Sequence, residues 1–160
     1  MLQYIKKAWK KLVGGIAVAL KRTQDGAVIG CGVLIINPQR QILLLRRGAT
    51  APTCPGMWGG PGGLQEDDET ESEAATREVR EEAGIEITLD SGTPFFSSRW
   101  SGDGREIRYF LAHVDGNVTI TFPDKEADAY VWASYEEAMR LPLAFCYKEA
   151  LEKLHEEELL

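Results

Sequence analysis

The chain has 160 residues, a length at which a protein usually forms one domain around its own hydrophobic core. Hydrophobic residues make up 44% of it and charged residues 27%, which argues against a disordered, collagen-like or disulfide-dense chain. The three cysteines are an odd number without CxxC spacing, so neither a disulfide framework nor a zinc site of that kind is indicated. We therefore expect a protein of a reducing compartment, the cytoplasm.

Charge is distributed unevenly along the chain. The net charge is −7, yet residues 1–22 contain six Lys and Arg residues and no acidic residue, so 12 cations against 25 acids leave −13 in the remainder. Duplex nucleic acid binds to a basic face, and we therefore expect no duplex nucleic-acid partner. An acidic body accepts a polyphosphate only where metal ions intervene.

Residues 1–14 form a basic amphipathic segment ahead of a predicted domain at residues 15–160. Its apolar residues recur at helical spacing opposite lysines, which favours a short helix docked on the domain. Residues 1–13 could alternatively contact an anionic membrane surface, or cover the site of a partner in a homodimer. No apolar run approaches the roughly 20 residues that a membrane-spanning helix needs.

The remaining pattern predicts strands and helices in mixed order. Strands are predicted at 16–20, 28–36, 41–47, 92–100, 105–114, 118–122 and 129–133, and helices at 70–83, 134–140 and 144–158. The Gly- and Pro-rich stretch 48–63 predicts a shaped loop without regular structure. Strands with helices at intervals predict an α/β fold whose sheet is covered on both faces.

The helix predicted at 70–83 carries three carboxylates on one face. Glu78, Glu81 and Glu82 stand at positions i, i+3 and i+4, within one turn of each other. Clustered like charges destabilise a helix by roughly a few tenths of a kcal/mol per pair, whereas Mg²⁺ prefers carboxylate ligands. The spacing alone leaves both a metal site and a solvated acidic face open.

The residues around these glutamates extend the pattern. From Gly63, five residues lead to Glu69 and seven more lead to Arg77, which opens the run Arg-Glu-Val-Arg-Glu-Glu-Ala-Gly-Ile ending at Ile85. This stretch closely resembles the Nudix box, G-x5-E-x7-R-E-U-x-E-E-x-G-U, and matches it at every specified position. Family likeness extends over residues 32–85 and more weakly to the C-terminus.

The resemblance implies a Nudix-type α/β/α sandwich with a mixed β-sheet. It implies hydrolysis of a nucleoside diphosphate linked to another moiety, with Mg²⁺ or Mn²⁺ as cofactor. The metal ligands that it implies are three carboxylates and one backbone carbonyl: Glu78, Glu81, Glu82 and Gly63. Arg77 would pair with Glu69 and orient the carboxylates, a task that metal sites commonly assign to an outer residue.

The general base is a box glutamate or a later carboxylate in this family. Glu81, Glu82 and Glu126 are therefore the catalytic candidates, together with Arg77 as the orienting residue. Glu126 lies in an acidic loop before Val131, and it could equally be a solvated loop charge.

Substrate binding is expected at the glycine loop, which offers Gly62 and Gly63. Trp58 beside it could stack on a nucleobase or, as we favour, anchor the loop. Three arginines could contact phosphates, although surface positions are more common for isolated strand arginines: Arg99, Arg105 and Arg108. Phe145 and Tyr147 are expected to pack the last helix against the sheet.

The leading hypothesis is a pyrophosphohydrolase acting on a nucleotide or nucleotide conjugate, with nucleoside triphosphates or ADP-ribose favoured. The alternative is a catalytically silent nucleotide-binding or regulatory module with the same fold. Family members that have lost catalytic activity typically lack one or more box glutamates, and all of them are present here.

Overall fold

The computed structural model describes residues 18–116 and 118–160. In these ranges the chain forms seven strands and three helices: β1 (Ile29–Ile36), β2 (Ile42–Arg47), β3 (Trp58–Gly59), β4 (Gly62–Leu64), α1 (Glu71–Ala83), β5 (Phe96–Arg99), β6 (Glu106–His113), β7 (Ala127–Ala133), α2 (Tyr135–Ala138) and α3 (Tyr147–Glu156). None of the described helices is long and apolar enough to cross a membrane. The predicted basic segment at 1–14 lies outside the described residues, so its membrane and dimer hypotheses stay predictions.

All seven strands belong to one mixed sheet. Its order is β3-β2-β1-β6-β5, while β4 also pairs with β1 and β7 with β2. Strand β1 runs parallel to β6, with Ile29 opposite Glu106 and Ile36 opposite His113. The other pairings are antiparallel. All eight residues of β1 are buried, as expected for a central strand that is covered on both faces.

Two cores lie on opposite faces of the sheet, because successive side chains of a strand point to opposite sides. Val33 and Ile35 of β1 pack in the core that includes α1. Leu34 and Ile36 pack in the core that includes α3. The predicted α/β/α sandwich with a mixed sheet is therefore confirmed.

Helix α1 begins and ends where its sequence predicts. The Thr70 hydroxyl accepts the N–H of Glu73 at 3.2 Å, and the Glu73 carboxylate accepts the N–H of Thr70 at 2.8 Å. This reciprocal capping box satisfies two amides that a helix start leaves open. At the other end Gly84 adopts φ +71° and donates its N–H to the carbonyl of Arg80 at 3.2 Å. The turn that carries the three glutamates is thus fixed by local hydrogen bonds.

The prediction of a strand at 118–122 was wrong. Within the described residues 118–122 no strand is present, and Ile120 is buried in the core on the α1 face while Val118 and Phe122 pack against it. Apolar residues alternate here because the segment lies across a core, and alternation reports side-chain burial and not backbone pairing.

The stretch 48–63 was predicted to lack regular structure, and this was also wrong. It contains β3 and the start of β4, which pairs with β1 so that Gly62 lies opposite Gly32. The strand predicted at 16–20 is described only from residue 18, where Leu20 forms a single bridge to Glu66. Arg22 forms an antiparallel bridge to Val28 across the turn that follows. Helices α2 and α3 are both shorter than predicted.

Candidate active site

Strand β4 seats two glutamates of α1 against the sheet. The N–H of Gly62 donates to the Glu82 carboxylate at 2.9 Å. A Cβ on Gly62 would lie 2.7 Å from the carbonyl oxygen of Cys31, and a Cβ on Gly63 would overlap the carboxylate of Glu78. Gly62 therefore requires glycine, because any side chain would push the strand away from β1, whereas a side chain at Gly63 would displace the carboxylate of Glu78.

Arg77 binds several carboxylates at once. Its Nε and Nη2 donate to Glu69 at 2.9 and 2.6 Å, and its Nη1 donates to Glu78 at 2.6 Å. Nη1 also lies 3.5 Å from a carboxylate oxygen of Glu81. Burial lowers the pKa of Arg77, but its hydrogen bond with Glu69 and the charge of Glu78 outweigh burial and hold the pKa above its ordinary value. The Arg77–Glu69 pair expected from the sequence is present.

We expect Arg77→Gln to lower the free energy of unfolding by about 3–5 kcal/mol at pH 7, because it leaves Glu69 and Glu78 without their cation. Arg77→Lys keeps the charge but loses the bidentate fork, so it should cost less. Urea unfolding at pH 7 measures this, and equal stability of the two variants would contradict it.

The loop before β7 brings two further carboxylates to Glu82. One carboxylate oxygen from each of Glu82, Asp124 and Glu126 lies within 4.8 Å of the others. Asp124 accepts the N–H of Glu126 at 3.0 Å and donates its own N–H to the carbonyl of Glu81 at 3.2 Å. Gly48 donates its N–H to the carbonyl of Glu126 at 2.9 Å. The loop is thus tied both to α1 and to the end of β2.

These contacts divide the box glutamates between two environments. Glu78 is bound by Arg77, whereas Glu82 lies in the cluster with Asp124 and Glu126. Sequence reasoning named Glu126 and did not select Asp124. The available signal was an aspartate two residues before a glutamate, a spacing at which the first side chain can accept the N–H of the second.

A pocket opens beside this carboxylate cluster. Its lining includes Glu82 and Glu126, and the glycines Gly62 and Gly63. Aromatic and basic side chains complete much of the wall: Arg47, Arg105, Tyr109, Phe145 and Tyr147. A concave pocket with few polar groups is the usual form of a small-molecule site.

Arg105 is buried in the wall of this pocket, with only 7% of its surface exposed. Its Nε and Nη2 donate to the Asp103 carboxylate at 3.0 and 2.8 Å. Its guanidinium carbon lies 5.1 Å from the ring centroid of Trp100 and 5.0 Å from that of Phe145. Burial lowers the pKa of Arg105 to about 10, so it stays protonated at neutral pH. The expectation of a surface position for Arg105 was therefore wrong.

Among the described residues, Trp58 is not part of the lining of this pocket. Its N–H donates to the carbonyl of Pro142 at 2.8 Å, and its carbonyl accepts the N–H of Ala144 at 2.7 Å. These main-chain bonds tie β3 to the segment that leads to Phe145, and the anchoring role of the Trp58 side chain stays a prediction. Tyr147 packs against the sheet and donates its hydroxyl to the carbonyl of Val33 at 3.3 Å.

A helix with clustered glutamates, seated on a glycine strand of a mixed sheet and facing a pocket, defines the class of site. A family model described as the NUDIX domain matches residues 27–154. The chain belongs to this family and is a Nudix hydrolase.

Individual relatives agree with this assignment. The CTP pyrophosphohydrolase of Escherichia coli (strain K12) is 39% identical over 110 residues, which cover 69% of this chain and 78% of that protein. The structure of a MutT protein from Methanosarcina mazei Go1 has a TM-score of 0.70 at 25% identity, covering 88% of this chain and 99% of that chain. A MutT NUDIX hydrolase from Burkholderia pseudomallei has a TM-score of 0.66 at 30% identity, covering 80% and 98%. The family resemblance predicted from the box is confirmed.

Proposed function

We propose that this Nudix hydrolase is a Mg²⁺-dependent pyrophosphohydrolase that cleaves nucleoside triphosphates. The observation that carries the proposal is the carboxylate cluster of Glu82, Asp124 and Glu126, two members of which, Glu82 and Glu126, line a pocket. A relative named CTP pyrophosphohydrolase supports a triphosphate over ADP-ribose, the other substrate that the sequence favours.

The donor set of this cluster fits a hard divalent cation. Its ligand atoms are carboxylate oxygens, and Mg²⁺ takes a few such ligands while phosphates and waters fill its other positions. Bound Mg²⁺ or Mn²⁺ would offset phosphate charge and lower the pKa of a coordinated water. The residues proposed to hold it are the box ligands together with the two loop carboxylates: Gly63, Glu78, Glu81, Glu82, Asp124 and Glu126.

Orientation of the carboxylates and transfer of a proton are assigned to groups that the fold holds in place. The N–H of Gly62 orients the carboxylate of Glu82, and Arg77 fixes Glu78. Glu126 is the leading candidate to accept a proton from the attacking water, because both its N–H and its carbonyl are held by neighbours. In-line displacement on phosphorus depends on positioning and charge neutralisation more than on covalent chemistry, which suits such an arrangement.

A hydrolysis screen tests the proposal. Nucleoside triphosphates, ADP-ribose, dinucleoside polyphosphates and nucleotide sugars are incubated with Mg²⁺ or Mn²⁺, and products are resolved by mass. We expect nucleoside monophosphate and pyrophosphate from at least one triphosphate, lost on chelation and in Glu81→Gln. If the folded protein hydrolyses none of these compounds but still binds nucleotides in calorimetry, the result would instead favour the binding-module alternative.

We also propose a cytoplasmic location. Cys31, Cys54 and Cys146 are all free thiols, which supports a reducing compartment. Fractionation of the source cells, followed by detection of the protein, tests this proposal.

A further inference from the structure

Away from the carboxylate cluster, the pocket wall includes basic side chains. Two of its side chains are guanidinium groups, which donate and cannot accept: Arg47 and Arg105. In the part of the chain that the structure describes, neither Asn nor Gln lines the pocket. These amides are the side chains that match the paired donor and acceptor on the adenine edge.

Burying the guanidinium of Arg105 here costs free energy, which is unfavourable unless its charge has a function. A buried guanidinium must be paired and hydrogen-bonded, and an apolar side chain would often serve packing as well or better. Asp103 binds it along the Nε–Nη2 edge, while Trp100 and Phe145 lie against it. The guanidinium plane is thereby held fixed at the wall of the pocket.

Phe145 is also held in an unusual way. Its backbone adopts φ +55°, a left-handed conformation that is strained for a bulky residue. The guanidinium carbon of Arg47 lies 5.1 Å from its ring centroid and that of Arg105 lies 5.0 Å away, with Trp100 edge-on at 5.0 Å. Backbone strain of this kind persists where the surroundings enforce it, often at ligand clamps. At this end, then, the ring is flanked by two guanidinium groups.

The two ends of the pocket therefore suit different parts of a nucleotide. Phosphates belong beside Glu82 and Glu126, where the proposed cation would be held, so the nucleoside extends toward the arginines. Cytosine, uracil and guanine carry carbonyl oxygens that accept from a guanidinium, whereas adenine offers an amino donor and ring nitrogens but no carbonyl. We infer that Arg105 is a specificity-determining residue that selects nucleobases bearing a carbonyl oxygen over adenine. The inference rests on the proposed function, because it assigns the base end of the same pocket.

The test compares kcat/KM for CTP, UTP, GTP and ATP in the wild-type protein, Arg105→Met, Arg105→Lys and Arg99→Met. We expect the wild type to prefer at least one carbonyl-bearing base over ATP by about 10-fold or more, the discrimination that one good Arg–base contact supplies. Arg105→Met should bring that ratio to within about threefold, mainly by slowing the preferred substrate. Arg99, an exposed arginine paired with Asp25 and Glu106, is the matched control, and Arg99→Met should keep the ratio.

Equal kcat/KM for ATP and the other triphosphates in the wild type would overturn the inference. An Arg105→Met variant whose kcat/KM falls by the same factor for all four triphosphates would also overturn it. Circular dichroism and thermal unfolding check the fold of each variant. If Arg105→Met does not fold, Arg105→Lys decides, because it keeps the charge but loses the planar fork and should weaken the preference.

Failure of the proposed function gives a different result, namely no hydrolysis of any triphosphate by the wild type. In that case calorimetric binding of CMP, UMP, GMP and AMP decides the base preference without turnover. Equal dissociation constants for the four monophosphates would overturn the role of Arg105.

Discussion

Glu82→Gln is expected to lower kcat by at least about 10²-fold while leaving the fold intact. Glu82 is 5% exposed, accepts the N–H of Gly62 and lies with Asp124 and Glu126 in the proposed cation site. Glutamine has the same shape and its amide oxygen can still accept from Gly62. The substitution therefore removes the charge and little else, and steady-state kinetics at saturating Mg²⁺ measure the effect.

Glu86→Gln provides the matched control for this substitution. Glu86 follows α1 by three residues, its side chain is 80% exposed, and it lies 3.3 Å from Arg80. The same chemical change at a surface ion pair should leave kcat within about twofold and stability nearly unchanged. Calorimetric Mn²⁺ binding should weaken in Glu82→Gln and not in Glu86→Gln. If Glu82→Gln has the same kcat and the same Mn²⁺ affinity as the wild type, Glu82 does not belong to the proposed cation site.

The second large effect is expected for Glu126→Gln, which should lower kcat by about 10²-fold or more if Glu126 is the general base. The bonds that position this residue use its main chain, from its N–H to Asp124 and from Gly48 to its carbonyl. The amide side chain therefore tests proton transfer without loosening the loop. Steady-state kinetics across the pH range measure the effect.

Asp128→Asn is the control from the same region. Asp128 is exposed and pairs with Arg46 at 2.7 Å, so its loss should change kcat by less than about twofold. A Glu126→Gln variant with unchanged kcat across the pH range would rule out the base role and return it to Glu81 or Glu82.

The failed predictions have a common physical origin. The segment 118–122 has strand-like alternation, but its side chains pack in the α1 core and it pairs with no strand of the described residues. The glycine stretch lacks apolar periodicity, yet it contributes β3, which pairs with β2, and the start of β4, where Gly62 permits close approach to β1. Arg105 resembles an isolated strand arginine in the sequence, but it packs against Trp100 of the β5–β6 turn and against Phe145, which the loop before α3 brings to it.

The sequence by itself determined α1 and the spacing of its glutamates, because caps and helical periodicity depend on residues within a few positions of each other. It also determined the family, since the box is one continuous stretch ending at Ile85. Only the tertiary structure placed Asp124 and Glu126 beside Glu82, and Arg105 in the same pocket. These contacts join residues far apart in the chain, and they form only when the sheet has assembled and the loops at its edge have been drawn together.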